Sequence, residues 1–303
     1  MRSTYTYEET LAASEKINWQ VEDLIGENHD LDFTKPFLPE SLARVTPLDF
    51  LTLRERVVLN QIRGHGYLYM FGLVEEFILP FVLDHARPQL GGDDTRTRAF
   101  LGFAAEEAKH IHLFKRFRAA FTDNFGVECA VIGPPSAIAG AVLAHDPLAV
   151  ALITLHIEWM TQRHYLDSIR DDQCLDPRFK SLLKHHWMEE AQHAKLDTLM
   201  VEALAEGRDA AAIMSATQEY LEIGGMFDAG LKTQTEFDLD SFERATGRRL
   251  SPTERETFMT TQHQANRWTF IGSGMTHPKF VQTLDHLSPE AGDMVSRVAP
   301  AFR

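Results

Sequence analysis

The sequence predicts an all-α fold built on a bundle of four long helices, and three observations predict it. No stretch alternates as a convincing strand, whereas long segments carry apolar residues at helical spacing. Asp146-Pro147 and Asp176-Pro177 each place a capping carboxylate before a proline at the first helical position, so each marks a helix start. Two short Gly/Pro/Asp turns and one long Gly/Pro-rich stretch separate the four longest segments, which spaces them as two hairpins joined by a crossover.

Residues 7–28 read as an amphipathic helix. Residues 29–47 carry Pro36, Pro39 and Pro47 and read as an ordered connector wrapped over the bundle. The first long helix is expected from about Leu53 to His85, with Pro80 kinking or distorting it because proline lacks the amide donor and crowds the preceding turn. Pro88 to Asp94 is a turn, and the second long helix covers about Thr95 to Thr122. Residues 124–147 form the crossover, with Gly126, Gly133, Pro134 and Pro135 and a short helix at 136–144. The third and fourth long helices cover about 148–171 and 178–205. Further helices are expected at 209–233, 239–246, 252–271 and 278–286, and Ser251 with Glu254 forms a capping box. This order is the ferritin-like connection pattern. We therefore expect a ferritin-like four-helix bundle with additional N- and C-terminal helices. One domain spans 1–303, with its bundle core at about 53–206, a helix and connector at 1–52, and C-terminal helices at 207–303 packed on it.

A chain of 303 residues is long enough for a sizeable buried core. The net charge of −14 argues against nucleic acid and anionic membranes as partners. Cys129 and Cys174 form no disulfide framework and fit a reducing, cytoplasmic setting, and no signal peptide is evident at the N-terminus. The most apolar run, Tyr67 to Leu83, holds Glu75 and Glu76 near its middle, which suits a buried helix facing a ligand better than one in lipid.

The chemistry concentrates in two copies of one motif, Glu106-Glu107-Ala108-Lys109-His110 and Glu189-Glu190-Ala191-Gln192-His193. On a helix, residues three and four apart share a face, so Glu107 joins His110 while Glu190 joins His193 and His186. Glu107 and Glu190 are preferred over Glu106 and Glu189 because they stand three before the histidines, as Glu-x-x-His requires. Glu75 lies 32 residues before Glu107, and Glu158 lies 32 before Glu190, so each hairpin supplies a lone glutamate and a Glu-x-x-His. Helical phase leaves both Glu75 and Glu76 open; the repeat favours Glu75. Glu158 stands alone in an apolar run, where a charge requires a partner or a metal. Two Glu-x-x-His motifs and two lone glutamates form the ligand set of a carboxylate-bridged di-metal bundle. His186 would add a third imidazole, against a surface or capping role. Asp197 is a candidate acceptor for a histidine or a solvent-facing residue. Tyr165 reads as pocket lining or core, His112 as structural, and Phe71, Phe77, Phe100, Phe103 and Phe114 as core, with walling of a substrate cavity the alternative for some of them.

From about residue 35 to 205 the chain resembles the AurF-type di-iron N-oxygenases, the p-aminobenzoate N-oxygenase group within the ferritin-like proteins. The resemblance rests on Arg54-Glu55-Arg56-Val57-Val58-Leu59, Gly66-Tyr67 eight residues before Glu75, Glu107-x-x-His110, Glu158, and His186-x-x-x-Glu190-x-x-His193. The third histidine is its most specific part, and the match does not extend beyond about residue 209. The resemblance implies iron ligands Glu75, Glu107, His110, Glu158, His186, Glu190 and His193, and oxygen insertion into an amine nitrogen. The expected cofactor is two iron ions, with manganese or a mixed iron–manganese pair suited to the same donors. The expected partners are O2, a small organic substrate and an external electron donor, since no flavin or nicotinamide fingerprint is present. A homodimer is expected by analogy. The rival expectations are oxidation or desaturation at carbon, and metal binding without an organic substrate.

Overall fold

The computed structural model describes residues 4–26 and 30–303, and its regular elements are all helical, with no strand among the described residues. Helices α1 (Tyr7–Ser14), α2 (Val21–Leu24) and α3 (Glu40–Ala43) precede the first long helix, α4 (Leu53–Ala86). Then come α5 (Asp94–Phe125), α6 (Pro135–Leu143), α7 (Pro147–Arg163) and α8 (Pro177–Ala205). The C-terminal region holds α9 (Ala210–Thr246), α10 (Pro252–Arg267), the short α11 (Ser273–Met275), α12 (Pro278–Leu287) and α13 (Pro289–Val298).

The two hairpins are α4 with α5 and α7 with α8, and α5 meets α8 across the bundle. Helix α9 lies along both α4 and α7, α1 covers α5 and α8, and α10 packs on α9. Thr52 and Glu55 form a capping box that starts α4, Asp93 caps α5, and Asp146 and Asp176 accept amide bonds at the starts of α7 and α8. Helix α4 is long and apolar enough to cross a membrane by length and composition, but 72% of its most apolar window is buried inside the fold. It stays helical through Pro80.

The connector is pinned onto α4 by Asn60, whose amide oxygen accepts from Phe37 N (2.7 Å) and Leu38 N (3.0 Å) while its nitrogen donates to Leu38 O (2.7 Å). Gly64 permits this approach, since a Cβ there would stand 2.8 Å from Phe37 Cβ.

Three expectations change. The helix expected over 7–28 is two pieces, α1 and α2, and residues 27–28 lie outside the described residues. The break lets Trp19 turn inward, where its ring stacks on His110 with centroids 6.1 Å apart. The gap expected at 234–238 is absent, because α9 is continuous. Its polar run is a buried network: Gln234 accepts from Ile132 N (3.1 Å) and donates to Asp238 (2.8 Å), and Thr235 accepts from Asn266 (2.9 Å). The last helix expected with bounds ends at residue 286, yet α13 follows, started by Ser288 and Pro289.

Candidate metal centre

Four helices converge their chemistry at one buried point. Helix α4 brings Glu75, α5 brings Glu107 and His110, α7 brings Glu158, and α8 brings His186, Glu190 and His193. All seven are buried. Their donor atoms form two overlapping groups, Glu75–His110–His186–Glu190 and Glu107–His110–Glu190–His193, with the atoms of each group within 4.8 Å of one another. Glu190 belongs to both. One of its oxygens lies against His186 Nε2 and 3.1 Å from His110 Nδ1, and the other is 2.7 Å from His193 Nδ1. His186 Nε2 is also 3.3 Å from Glu75.

Glu75, not Glu76, faces this point. Glu76 is half-buried and lies 3.5 Å from Lys115 on the outer side of the hairpin. Adjacent helical residues are rotated by about 100°, so only one of the pair can face the centre. His112 points away from it and is exposed. Tyr165 is buried against Trp187, with centroids 4.3 Å apart, as core packing. A π-helical turn over His164–Ile169 shifts the phase of α7 there.

The buried atoms are left short of hydrogen-bond partners. Glu75 Oε2, Glu158 Oε2, both oxygens of Glu107 and His110 Nδ1 have none, although several lie at contact distance from one another. Buried polar atoms are ordinarily satisfied, so a group of orphans aimed at one point calls for something to bind there. Three imidazoles with four carboxylates suit a metal of intermediate softness, and that number of donors suits two ions sharing bridging carboxylates. The residues therefore fit a di-metal centre.

The charge balance agrees. Burial pushes the Glu75, Glu107 and Glu158 carboxyls up, aided by neighbouring carboxylates. Burial works against protonation of His110, yet Glu190, with Glu189 and Glu107, outweighs it and raises the imidazole to about 9. The same contest, won by Glu190, Glu106 and Glu107, raises His193. Burial lowers His186 against the pull of Glu190. Burial also opposes ionisation of Glu190, but His186, His193 and Glu158 hold it well below the usual carboxylate range. Without metal, protons do the work of cations.

Two residues set aside by spacing turn out to support the centre. Glu106 accepts from His193 Nε2 at 2.6 Å, and Glu189 accepts from His110 Nε2 at 2.8 Å. Each motif's first glutamate thus crosses to the histidine of the other motif. Both rings are held with Nδ1 inward, and the anionic partner makes each imidazole a stronger donor. Ser14 and Lys109 bind the outer oxygens of Glu106 and Glu189. The doubled glutamate of each motif was the signal, but only the opposition of α5 and α8 reveals the exchange. Glu189→Gln should weaken metal binding roughly 10–100-fold while the helical content is unchanged; competition against a chromophoric chelator reads this, and an unchanged affinity would remove Glu189 from the support.

Asp197 is fully buried, with both oxygens lacking hydrogen-bond partners. It does not face solvent. Burial, opposed by His193, raises its carboxyl well above the usual range. Tyr67 donates to His164 Nδ1 (2.9 Å), and His164 Nε2 donates to Ser273 (2.9 Å), which itself donates to Thr269 O. This polar chain was not evident from spacing. Burial, with Arg163 nearby, lowers His164 to about 3, so the ring is neutral.

No protein-family model and no curated protein matches the chain. Among solved structures it is similar to R2-like ligand-binding oxidase variants. One with an anaerobically reconstituted Mn/Fe cofactor has 15% identity over 87% of this chain and 93% of that one, at a TM-score of 0.45. One with an aerobically reconstituted Fe/Fe cofactor has 16% identity over 87% and 92%, also at 0.45. A third, with a Mn/Fe cofactor, has 14% identity over 89% and 92%, at 0.46. A likeness of this degree assigns no chemistry to the present chain.

Proposed function

We propose that this protein is a non-haem di-iron enzyme of the ferritin-like type that uses O2 to oxidise a small organic substrate. The observation that carries the reading is the pair of buried donor groups sharing His110 and Glu190, ringed by carboxylate oxygens with no hydrogen-bond partner. The metals would be held by Glu75, Glu107, His110, Glu158, His186, Glu190 and His193. When bound, they supply the redox chemistry that activates O2. Iron is the first expectation, and manganese or a mixed pair suits the same donors.

The chain's own residues have three tasks. Glu190 holds charge against His110, His186 and His193 at once. Glu106 and Glu189 fix the two Nδ1 atoms inward. The surrounding Phe71, Phe103 and Phe114 rings, packed on His186 and His193, keep water out. Within this reading we place the chain with the AurF-type enzymes, with an amine nitrogen as the atom oxidised, electrons from a separate donor, and a homodimeric assembly. The histidine-rich motif His186-x-x-x-Glu190-x-x-His193 supports that placement.

The test is anaerobic reconstitution with Fe(II), metal analysis, then rapid mixing with O2 under absorbance. Wild type should hold two irons per chain and give a transient visible band. His186→Ala should alter or abolish that band and bind the iron beside Glu75 and Glu190 more weakly. A wild-type protein that takes up no stoichiometric iron would end the reading. Normal binding and an unchanged band in His186→Ala would take that histidine out of the ligand set.

A further inference from the structure

Two cavities meet at a shared wall on the side of the centre covered by α9. The inner one lies among Met70, Phe71, Val74, Ile157, Phe227 and Phe270 and has a volume of about 10 Å3, room for one water-sized molecule. One of its lining rings reaches the candidate metal ligands: Phe71 stands edge-on to His186 with centroids 5.2 Å apart. The outer one is a surface funnel of about 440 Å3 between α4, α9 and the crossover, with Leu73, Ile132, Met226 and Thr233 on its walls. Met70 and Phe227 line both. Both are buried, and they stand between the funnel and the inner cavity.

The chemistry of the linings is one-sided. Every residue lining the inner cavity is apolar. In the funnel, Thr233 at the exposed rim is the single polar side chain among the described lining residues, and none is charged. A charged substrate group would lose hydration there without gaining a partner. Gly230 keeps the funnel open, since a Cβ at that position would already stand 3.2 Å from Ile132 Cδ1.

We infer that the funnel is the substrate site of the proposed oxidase, that it takes an uncharged apolar or aromatic molecule, and that Met70 and Phe227 gate the passage of its reacting end to the metals. The inference rests on the oxidase reading for the word substrate. The funnel's volume is that of an ordinary small-ligand pocket, about 300–1,000 Å3, whereas the inner cavity holds no organic molecule until the gate residues move. The lining thereby selects against carboxylates, phosphates and ammonium groups at any point beyond the rim.

Two dyes that differ in one group test this. N-phenyl-1-naphthylamine and its sulfonated analogue, 8-anilinonaphthalene-1-sulfonate, share a ring skeleton, and only the second is charged. Fluorescence titration of the full chain, with and without metal, should show one uncharged dye per protein and the sulfonate binding roughly tenfold or more weakly. Thr233→Trp and Gly230→Trp, from two positions on the funnel wall, should each weaken the uncharged dye roughly tenfold or more, with unchanged helical content. Phe227→Ala should shift the bound dye's emission to shorter wavelength as the two cavities merge. Equal affinity for the two dyes, or wild-type affinity in both tryptophan variants, would overturn the site and its selectivity; an unshifted emission in Phe227→Ala would overturn the gate. Because the dye binds metal-free protein too, failure of metal uptake removes the oxidase reading and leaves this titration interpretable.

Discussion

Glu190→Ala is expected to abolish stoichiometric metal binding, leaving well under one ion per chain where wild type holds two. Among the described residues no other carboxylate touches all three histidines: Glu190 lies against His186, 3.1 Å from His110 and 2.7 Å from His193. It is also in both donor groups, so its loss removes a ligand from each. The metal-free variant should be less stable as well. Removing one partner of a buried charge cluster strands the others, at a cost of roughly 3–5 kcal/mol. Metal analysis after reconstitution and denaturant unfolding of the metal-free protein measure the two effects. Glu76→Ala is the matched control, because that half-buried side chain faces Lys115 and should leave both metals in place. If Glu190→Ala keeps two ions, the proposed centre is wrong; if Glu76→Ala loses them, the choice of Glu75 is wrong.

Metal binding should release protons and tighten steeply with pH. Glu75, Glu107 and Glu158 are raised by burial, and His110 and His193 are raised by the carboxylates around them, so ions must displace protons to enter. Each proton released makes the affinity rise by roughly tenfold per pH unit in the range where that proton is held. Calorimetry in buffers of different ionisation enthalpy counts the protons. The stability of metal-free protein should run the other way. A histidine raised from 6.5 to about 9 on folding stabilises fully below pH 6.5 and loses that contribution as pH rises through 9. For His110 the loss is up to about 3 kcal/mol. His193 adds in the same sense. Glu190, held low, is ionised in folded and unfolded chains across this window and contributes no slope there. Metal-free protein should therefore melt lower at pH 9 than at pH 6.5, while loaded protein gains. A metal-free Tm that climbs over the same interval would show that the histidines are not held by these carboxylates.

The ligands were legible because a helix has a fixed period. Residues three and four apart meet on one face whatever surrounds them, so Glu107 with His110, and His186 with Glu190 and His193, could be grouped from spacing alone. The starts of α7 and α8 were legible for a similar reason, since Asp146 and Asp176 cap amides only two and three residues on. The 32-residue interval pointed to Glu75, and the apolar surroundings of Glu158 marked it as a buried charge.

What was not legible depends on neighbours distant in the chain. Glu106 holds His193 across 87 positions and Glu189 holds His110 across 79, contacts set by the opposition and axial register of α5 and α8. The run around Gln234 looked like a break because its partners, Ile132 and Asn266, come from elsewhere. Trp19 interrupts a helix in order to stack on His110, and Met70 meets Phe227 only because α9 lies on α4. Periodicity places a side chain on a face of its own helix; packing alone selects what stands opposite it, and the proton balance and the substrate route both follow from that opposition.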